Sequence, residues 1–176
     1  MALVLNATPL IYLSRAGGLQ ILKSLNTRIY TPKAVYDEVV VEGHRLGKPG
    51  ADLVDQYVLE GVITVRSPKL KMKLPSQVTR SGQESDWPVD KGEAEVLALA
   101  QELDCTAIID EQVGRNLARL NGIEVHGTVY LLILAHNSGA LTKEQTQAMF
   151  KRIVAEGWRI SVEDYTAIME ELEQQL

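Results

Sequence analysis

Four residues in this 176-residue chain are of a type and spacing that can gather oxygen ligands at one place. Asn6 ends the opening apolar run Leu3-Val4-Leu5, and Asp110 ends a second run, Ala107-Ile108-Ile109. Glu93 begins a long helical pattern, and Glu38 lies inside another. Hard cations such as Mg²⁺ or Mn²⁺ prefer oxygen donors and keep part of their water shell. Held by acids, such ions activate water and stabilise charge on a phosphodiester. Every one of these positions also has an ordinary structural use. Asp90-x-x-Glu93 has the spacing of a capping box, Asp110 precedes a helix as N-caps do, and Asn6 suits a turn at a strand end. Glu38 suits a solvated helix face. Their joint placement is what points to a metal site.

The elements that position them follow from periodicity. Leu3 to Leu5 has no polar alternation, which marks a strand buried on both faces of a parallel sheet. Thr8 is the predicted N-cap of the next helix, with Pro9 at its first position. Asn6 therefore sits where a central strand hands over to a helix, the usual ligand-binding edge of an open α/β sheet. Further strands are predicted at 28–30, 62–65, 107–109 and 123–126. Helices are predicted at 10–25 (broken at Gly17-Gly18), 33–41 after Thr31-Pro32, 51–57, 93–103, 113–120, 128–135 with Thr128 as cap, 142–156 and 163–175. Residues 42–50 read as a loop by their glycines and proline. Strands alternating with helices imply a mostly parallel five-stranded sheet with right-handed crossovers, in three α/β/α layers. Residues 66–92 carry Pro68, Pro75 and Pro88 without sustained period, and a loop that long is expected to be functional or mobile.

Length fits one domain, 1–138, with a helical extension, 139–176, packed on it. The single Cys105 cannot form an internal disulfide, in keeping with a reducing cytoplasm. No apolar stretch reaches the ~18 residues of a membrane span, and the start lacks a signal-peptide pattern; a soluble cytoplasmic protein without membrane contact is expected. The net charge of −5 argues against a generally basic nucleic-acid binder. Charge is segregated, however. Gly61 to Gln83 contains no acid but carries Arg66, Lys69, Lys71, Lys73 and Arg80, a stretch suited to tracking an RNA backbone. His44, Arg45 and Lys48 are weaker candidates. There is no phosphate loop, no dinucleotide fingerprint, no Cys/His metal spacing and no nucleophile elbow.

Taken together, Leu-Asn-Ala-Thr-Pro-Leu-Ile, Tyr-Thr-Pro-x-Ala-Val-x-x-Glu-Val, Asp-x-Gly-Glu-Ala-Glu, Ile-Ile-Asp-Glu and Gly-Thr-Val resemble PIN domains in that order. The resemblance runs from about Leu3 to Ser138 and is closest to the nucleic-acid-binding, toxin-like group of prokaryotic PIN-like proteins. It implies a Mg²⁺- or Mn²⁺-dependent endoribonuclease, in many members the toxin of a toxin–antitoxin pair. It implies homodimers and a small antitoxin protein as partner. Carried over by position, Asp110, Glu93, Glu38 and Asn6 are the catalytic and metal-binding residues, with Thr8 and Glu111 in support. Glu95 points away from Glu93 on an ideal helix and ranks below it.

Asn6 departs from the family pattern, which has Asp there. At ~4 Å and an effective dielectric near 20, a divalent ion gains roughly 8 kcal/mol gross from one carboxylate. Desolvation and relief of acid repulsion cancel most of this, but a surviving fifth still exceeds the ~1.4 kcal/mol of a tenfold change. Weakened metal binding is the expectation. The rival reading is an attenuated PIN module that binds RNA or a protein without cutting. A third is a small-molecule binding protein using the same sheet edge.

Overall fold

The computed structural model describes residues 2–69, 77–78, 84–85 and 89–175. Its centre is a five-stranded, all-parallel sheet in the order β3-β2-β1-β6-β7. The strands are β1 (Ala2–Leu5), β2 (Arg28–Thr31), β3 (Ile63–Val65), β6 (Thr106–Ile108) and β7 (Val125–His126). In β1, Leu3, Val4 and Leu5 are wholly buried, as an unalternating central strand requires. Leu3 pairs with Ile29 on one side and with Thr106 on the other. The chain first builds outward from β1 to β2 and β3, then returns to add β6 and β7. The order therefore reverses between β1 and β6, and crevices form at such a switch point. The separate pair β4 (Gln77–Val78) and β5 (Glu84–Ser85) is antiparallel and falls inside the stretch expected to be a loop. The rest of 70–88 lies outside the described residues, as do Lys71, Lys73 and Arg80.

Helices cover both faces, which makes the three α/β/α layers. Helix α6 (Lys91–Leu103) packs on β1 and β6 beside α7 (Gln112–Leu120). The other layer contains α1 (Ala7–Arg15), α2 (Ile21–Ser24), α5 (Ala51–Leu59), α8 (Thr128–Asn137) and α9 (Lys143–Ala155). The final helix α10 (Val162–Gln175) packs on α9, and Leu172 joins Met149, Phe150 and Ile153 in the same core. No helix among the described residues is long and apolar enough to cross a membrane.

Several local expectations are corrected. Thr8 does not cap α1: the N-cap is Asn6, so Ala7 and Thr8 precede Pro9 in the first turn. Proline loses nothing there, since first-turn N–H groups lack intrahelical acceptors. Pro32, not Thr31, occupies the N-cap of α3 (Lys33–Tyr36), and the Thr31 hydroxyl instead donates to the carbonyl of Leu5 (3.1 Å). Thr128 is the first residue of α8 behind the N-cap Gly127. The helix after β2 runs past 41 into the expected loop. It widens into a π-helical turn at Asp37–Val41 and resumes as α4 (Glu42–Arg45). That wider turn buries Val39 and Val40 together while leaving the neighbouring Glu38 at the surface. Such turns are rare and frequently occur at functional sites.

Candidate active site

Carboxylates collect at the carboxyl edge of the sheet, around the switch point. Glu93 occupies the first turn of α6. The Asp90 side chain caps this helix by accepting from the Glu93 backbone N–H at 2.7 Å. A full capping box would send the Glu93 carboxylate back to the N-cap. The Asp90 backbone N–H does act on this carboxylate and pulls its pKa down, yet Glu93 is only 4% exposed and its Oε1 is buried with no hydrogen-bond partner. Gly114 of α7 makes room for it, since a Cβ there would stand 2.9 Å from Glu93 Oε1 and 3.0 Å from Ile109 Cγ2. A buried oxygen left unpaired costs on the order of 1–3 kcal/mol. The structural reading of Asp90-x-x-Glu93 thus accounts for Asp90 and leaves Glu93 Oε1 unexplained.

Three further acids surround this oxygen electrostatically. Burial first, then the charges of Asp90, Glu111 and Glu38, push the Glu93 carboxyl up to about 7. Loss of solvent, then Asp90 and Glu111, also raise Glu38 above its ordinary value, although the residue as a whole is exposed. Asp90 Oδ1 and Glu38 Oε2 face the same point on Gly92, 3.2 and 3.6 Å from where a Cβ would stand. Glu111 is gripped by the opening segment. Thr8 donates its hydroxyl to Glu111 Oε1 at 2.6 Å, and the Asn6 amide donates to Glu111 Oε2 at 3.4 Å. Asn6 itself is 4% exposed and makes no cap hydrogen bond.

Asp110 behaves differently from its neighbour. Both its oxygens are taken by the start of α8: Oδ1 accepts from the Thr128 N–H at 2.8 Å and Oδ2 from the Thr128 hydroxyl at 2.5 Å. Burial raises its carboxyl, the Thr128 hydrogen bonds oppose this, and Glu111 and Arg115 add smaller effects of opposite sign. It does not cap α7, the helix it precedes in sequence, whose N-cap is Glu111. The residue facing Asn6 and Thr8 is therefore Glu111, expected only in support, while Asp110 braces a neighbouring helix. No periodic signal separates Asp110 from Glu111, because both lie beyond the end of β6 at Ile108, where strand alternation no longer sets side-chain direction.

The remaining candidates separate clearly. Glu95 accepts from the backbone N–H of Ala34 at the start of α3 (3.2 Å). Arg66 is paired with Glu102 at 2.7 Å, and the same carboxylate accepts from the Lys69 backbone N–H. His44 pairs with Asp52 and Arg45 with Glu42, whereas Lys48 makes no ion pair among the described residues.

The acids suit a hard divalent cation in donor type. Glu93 Oε1 is an unfilled acceptor in a cradle kept open by a glycine, and mutual repulsion among the acids is what a cation relieves. Among the described residues no three acids, histidines or cysteines converge as a ready cage.

An all-parallel sheet in this order, with acids at its switch point, defines an α/β domain of PIN type, a nuclease-type fold whose members are generally divalent-metal dependent. The chain belongs to the DUF3368 family, described as a PIN domain, whose model matches residues 2–174. It is also similar in fold to a PilT N-terminus domain protein from the hyperthermophilic archaeon Sulfolobus solfataricus P2. The two share 19% identity with a TM-score of 0.51, over 77% of this chain and 93% of that one. No curated protein matches the chain significantly.

Proposed function

We propose that the protein is a divalent-metal-dependent endoribonuclease, in which water adds to phosphorus and a P–O ester bond of RNA breaks. The observation that carries this is the buried, unpartnered Glu93 Oε1 among Asp90, Glu38 and Glu111 at the sheet's switch point. Glu93 and Glu111 would hold Mg²⁺ or Mn²⁺, with Glu38 and the Asn6 carbonyl oxygen reaching it through water. When bound, the cation supplies an activated water and charge stabilisation on the phosphodiester. Thr8 and Asn6 fix the orientation of Glu111, and Asp110 positions the segment carrying it by anchoring α8. The roles of toxin, of homodimer and of partner to a small antitoxin protein belong to the same reading.

Asn6 supports an attenuated variant of this proposal. Its amide is a donor to Glu111 and adds no charge to the cluster, where an aspartate would add one. Slow turnover is expected, with cation affinity below that of an all-carboxylate site. The experiment is RNA cleavage with Mn²⁺, with Mg²⁺ and with EDTA, on wild type and Glu93→Gln. Cleavage that needs the cation and is lost in Glu93→Gln supports the reading. Cleavage that survives both EDTA and the substitution overturns it, and no cleavage by wild type leaves the binding-module reading in its place.

A further inference from the structure

Beside Asp110 a cleft of about 720 Å³ opens between α7, β7 and α8 on one wall and the 158–171 segment on the other. Its size is that of sites that enclose an organic ligand, roughly 300–1,000 Å³. Two kinds of side chain meet in it. The rings of His126, at the end of β7, and Tyr130, in the first turn of α8, lie stacked at 3.9 Å with an interplanar angle of 11°. The half-buried Trp158 stands on the facing wall. Arg115 from α7 and the exposed Arg159 supply the cations. Neither makes an ion pair among the described residues, and Arg115 Nε is buried with no hydrogen-bond partner. Three acids also line the cleft: Asp110, held by Thr128, Asp164, which accepts from the hydroxyl of Ser161 at 2.8 Å, and Glu171 on the last helix.

Aromatic faces next to guanidinium groups recognise single-stranded nucleic acid. Every base has a face to stack, and arginine takes phosphate or stacks in its turn. A duplex offers neither, because its bases are already stacked and paired, and the A-form major groove is too narrow for side chains. We propose that this cleft holds an unpaired base of the RNA strand, stacked on the His126–Tyr130 pair with its phosphate at Arg115 or Arg159. The cleft adjoins the acidic cluster through Asp110 and Glu111, so the base belongs to a nucleotide flanking the scissile bond. The identity of the strand as RNA rests on the ribonuclease reading; the stacking site itself does not.

The test uses the full chain with Trp87→Phe, which leaves Trp158 as the sole tryptophan. In EDTA, oligouridylate should quench Trp158 fluorescence saturably, and the same strand annealed to oligoadenylate should bind at least about tenfold more weakly. Tyr130→Leu should weaken single-strand binding by about tenfold, the order of one lost base stack, while Tyr130→Phe, which keeps the ring, should bind within about twofold. His126→Leu, at the other ring of the pair, repeats the test should Tyr130→Leu not fold. Equal quenching by duplex and single strand, or unchanged binding in the folded Leu variants, overturns the assignment. The two readings separate: wild type that quenches but never cleaves removes only the ribonuclease, and wild type that cleaves without Trp158 quenching removes only the cleft.

Discussion

Two carboxylates withdrawn from water at the same sheet edge are treated in opposite ways. Asp110 has both oxygens engaged, each accepting one hydrogen bond from Thr128 at the start of α8. Glu93 keeps an oxygen buried and unpaired, with a glycine making room for it and three acids nearby. The first is a structural joint. A charge-assisted hydrogen bond contributes about 1.5–3 kcal/mol, and an acid at a helix N-terminus gains a little more from the dipole. The second costs stability where it stands, a cost that a bound cation would relieve on the proposed reading. The comparison turns one question, which acids matter, into two: which acids hold the fold and which the fold holds in reserve.

The largest expected effect lies at Glu93, and its sign differs between activity and stability. Glu93→Gln keeps the shape and removes the charge. Cleavage should fall by about 100-fold or more, beyond the 10–100-fold typical of residues supporting a metal ligand. Stability of the metal-free protein should rise instead. The folded-state carboxyl, at about 7, lies above its ordinary 4.5. The native state therefore holds a proton that the unfolded chain gives up between those values. Wild-type stability is then full below pH 4.5 and declines as pH rises toward 7, by ~3 kcal/mol at ~1.4 kcal/mol per pH unit. Urea melts in EDTA from pH 4 to 8 should show this decline in wild type and a shallower one in Glu93→Gln, where the raised carboxyls of Glu38 and Asp110 remain. Matching profiles would remove the idea that Glu93 is held in reserve.

Asp110 should respond in the reverse sense. Asp110→Ala leaves the buried Thr128 N–H and hydroxyl without acceptors, and a loss of ~3 kcal/mol is expected in urea melts. Asp110→Asn keeps one acceptor oxygen, should lose about half of that, and should retain measurable metal-dependent cleavage. If Asp110→Asn melts like wild type yet cannot cleave, Asp110 is a ligand rather than a joint, and the contrast with Glu93 fails.

The sequence-based picture was strong where one element suffices and weak where two must meet. The buried strand at Leu3–Leu5, the alternation of strands and helices, and the gathering of Asn6, Glu93 and Asp110 at one sheet edge all follow from runs and periods along the chain. Where side chains point does not. Thr8 has the residue type and the following proline of an N-cap, yet its hydroxyl goes to Glu111, 103 positions away. Asp110 precedes one helix and braces another. The widened turn at Asp37–Val41 has no signature in apolar spacing, because Val39 and Val40 also fit an ordinary helix. Local spacing records which positions are buried, while the choice of polar partner is made by the packing of elements distant in sequence.

Asn6 provides the smallest change and the one that joins the two halves of the comparison. It touches the reserved cluster through Glu111 but contributes no charge. Asn6→Asp replaces a donor to Glu111 by a like charge. Two charges near 4 Å repel by roughly 4 kcal/mol gross at a dielectric of 20, and solvent around the exposed Glu111 reduces this to about 1 kcal/mol. The metal-free variant should therefore be slightly less stable than wild type at pH 7, and the difference should vanish once the carboxyls are protonated near pH 3. Cation should reverse the order. The added acid should tighten Mn²⁺ binding by at least about tenfold, the equivalent of ~1.4 kcal/mol, and raise the cleavage rate. Thermal melts across a Mn²⁺ titration read both effects in one series, because a ligand that binds only the folded state raises its stability in proportion to the logarithm of its concentration. A variant that is destabilised in EDTA and overtakes wild type as Mn²⁺ rises would make the acidic cluster a cation site whose strength residue 6 sets. A variant whose deficit persists at every Mn²⁺ concentration would mean that the repulsion is real but no cation relieves it, and the binding-module reading would then replace the nuclease.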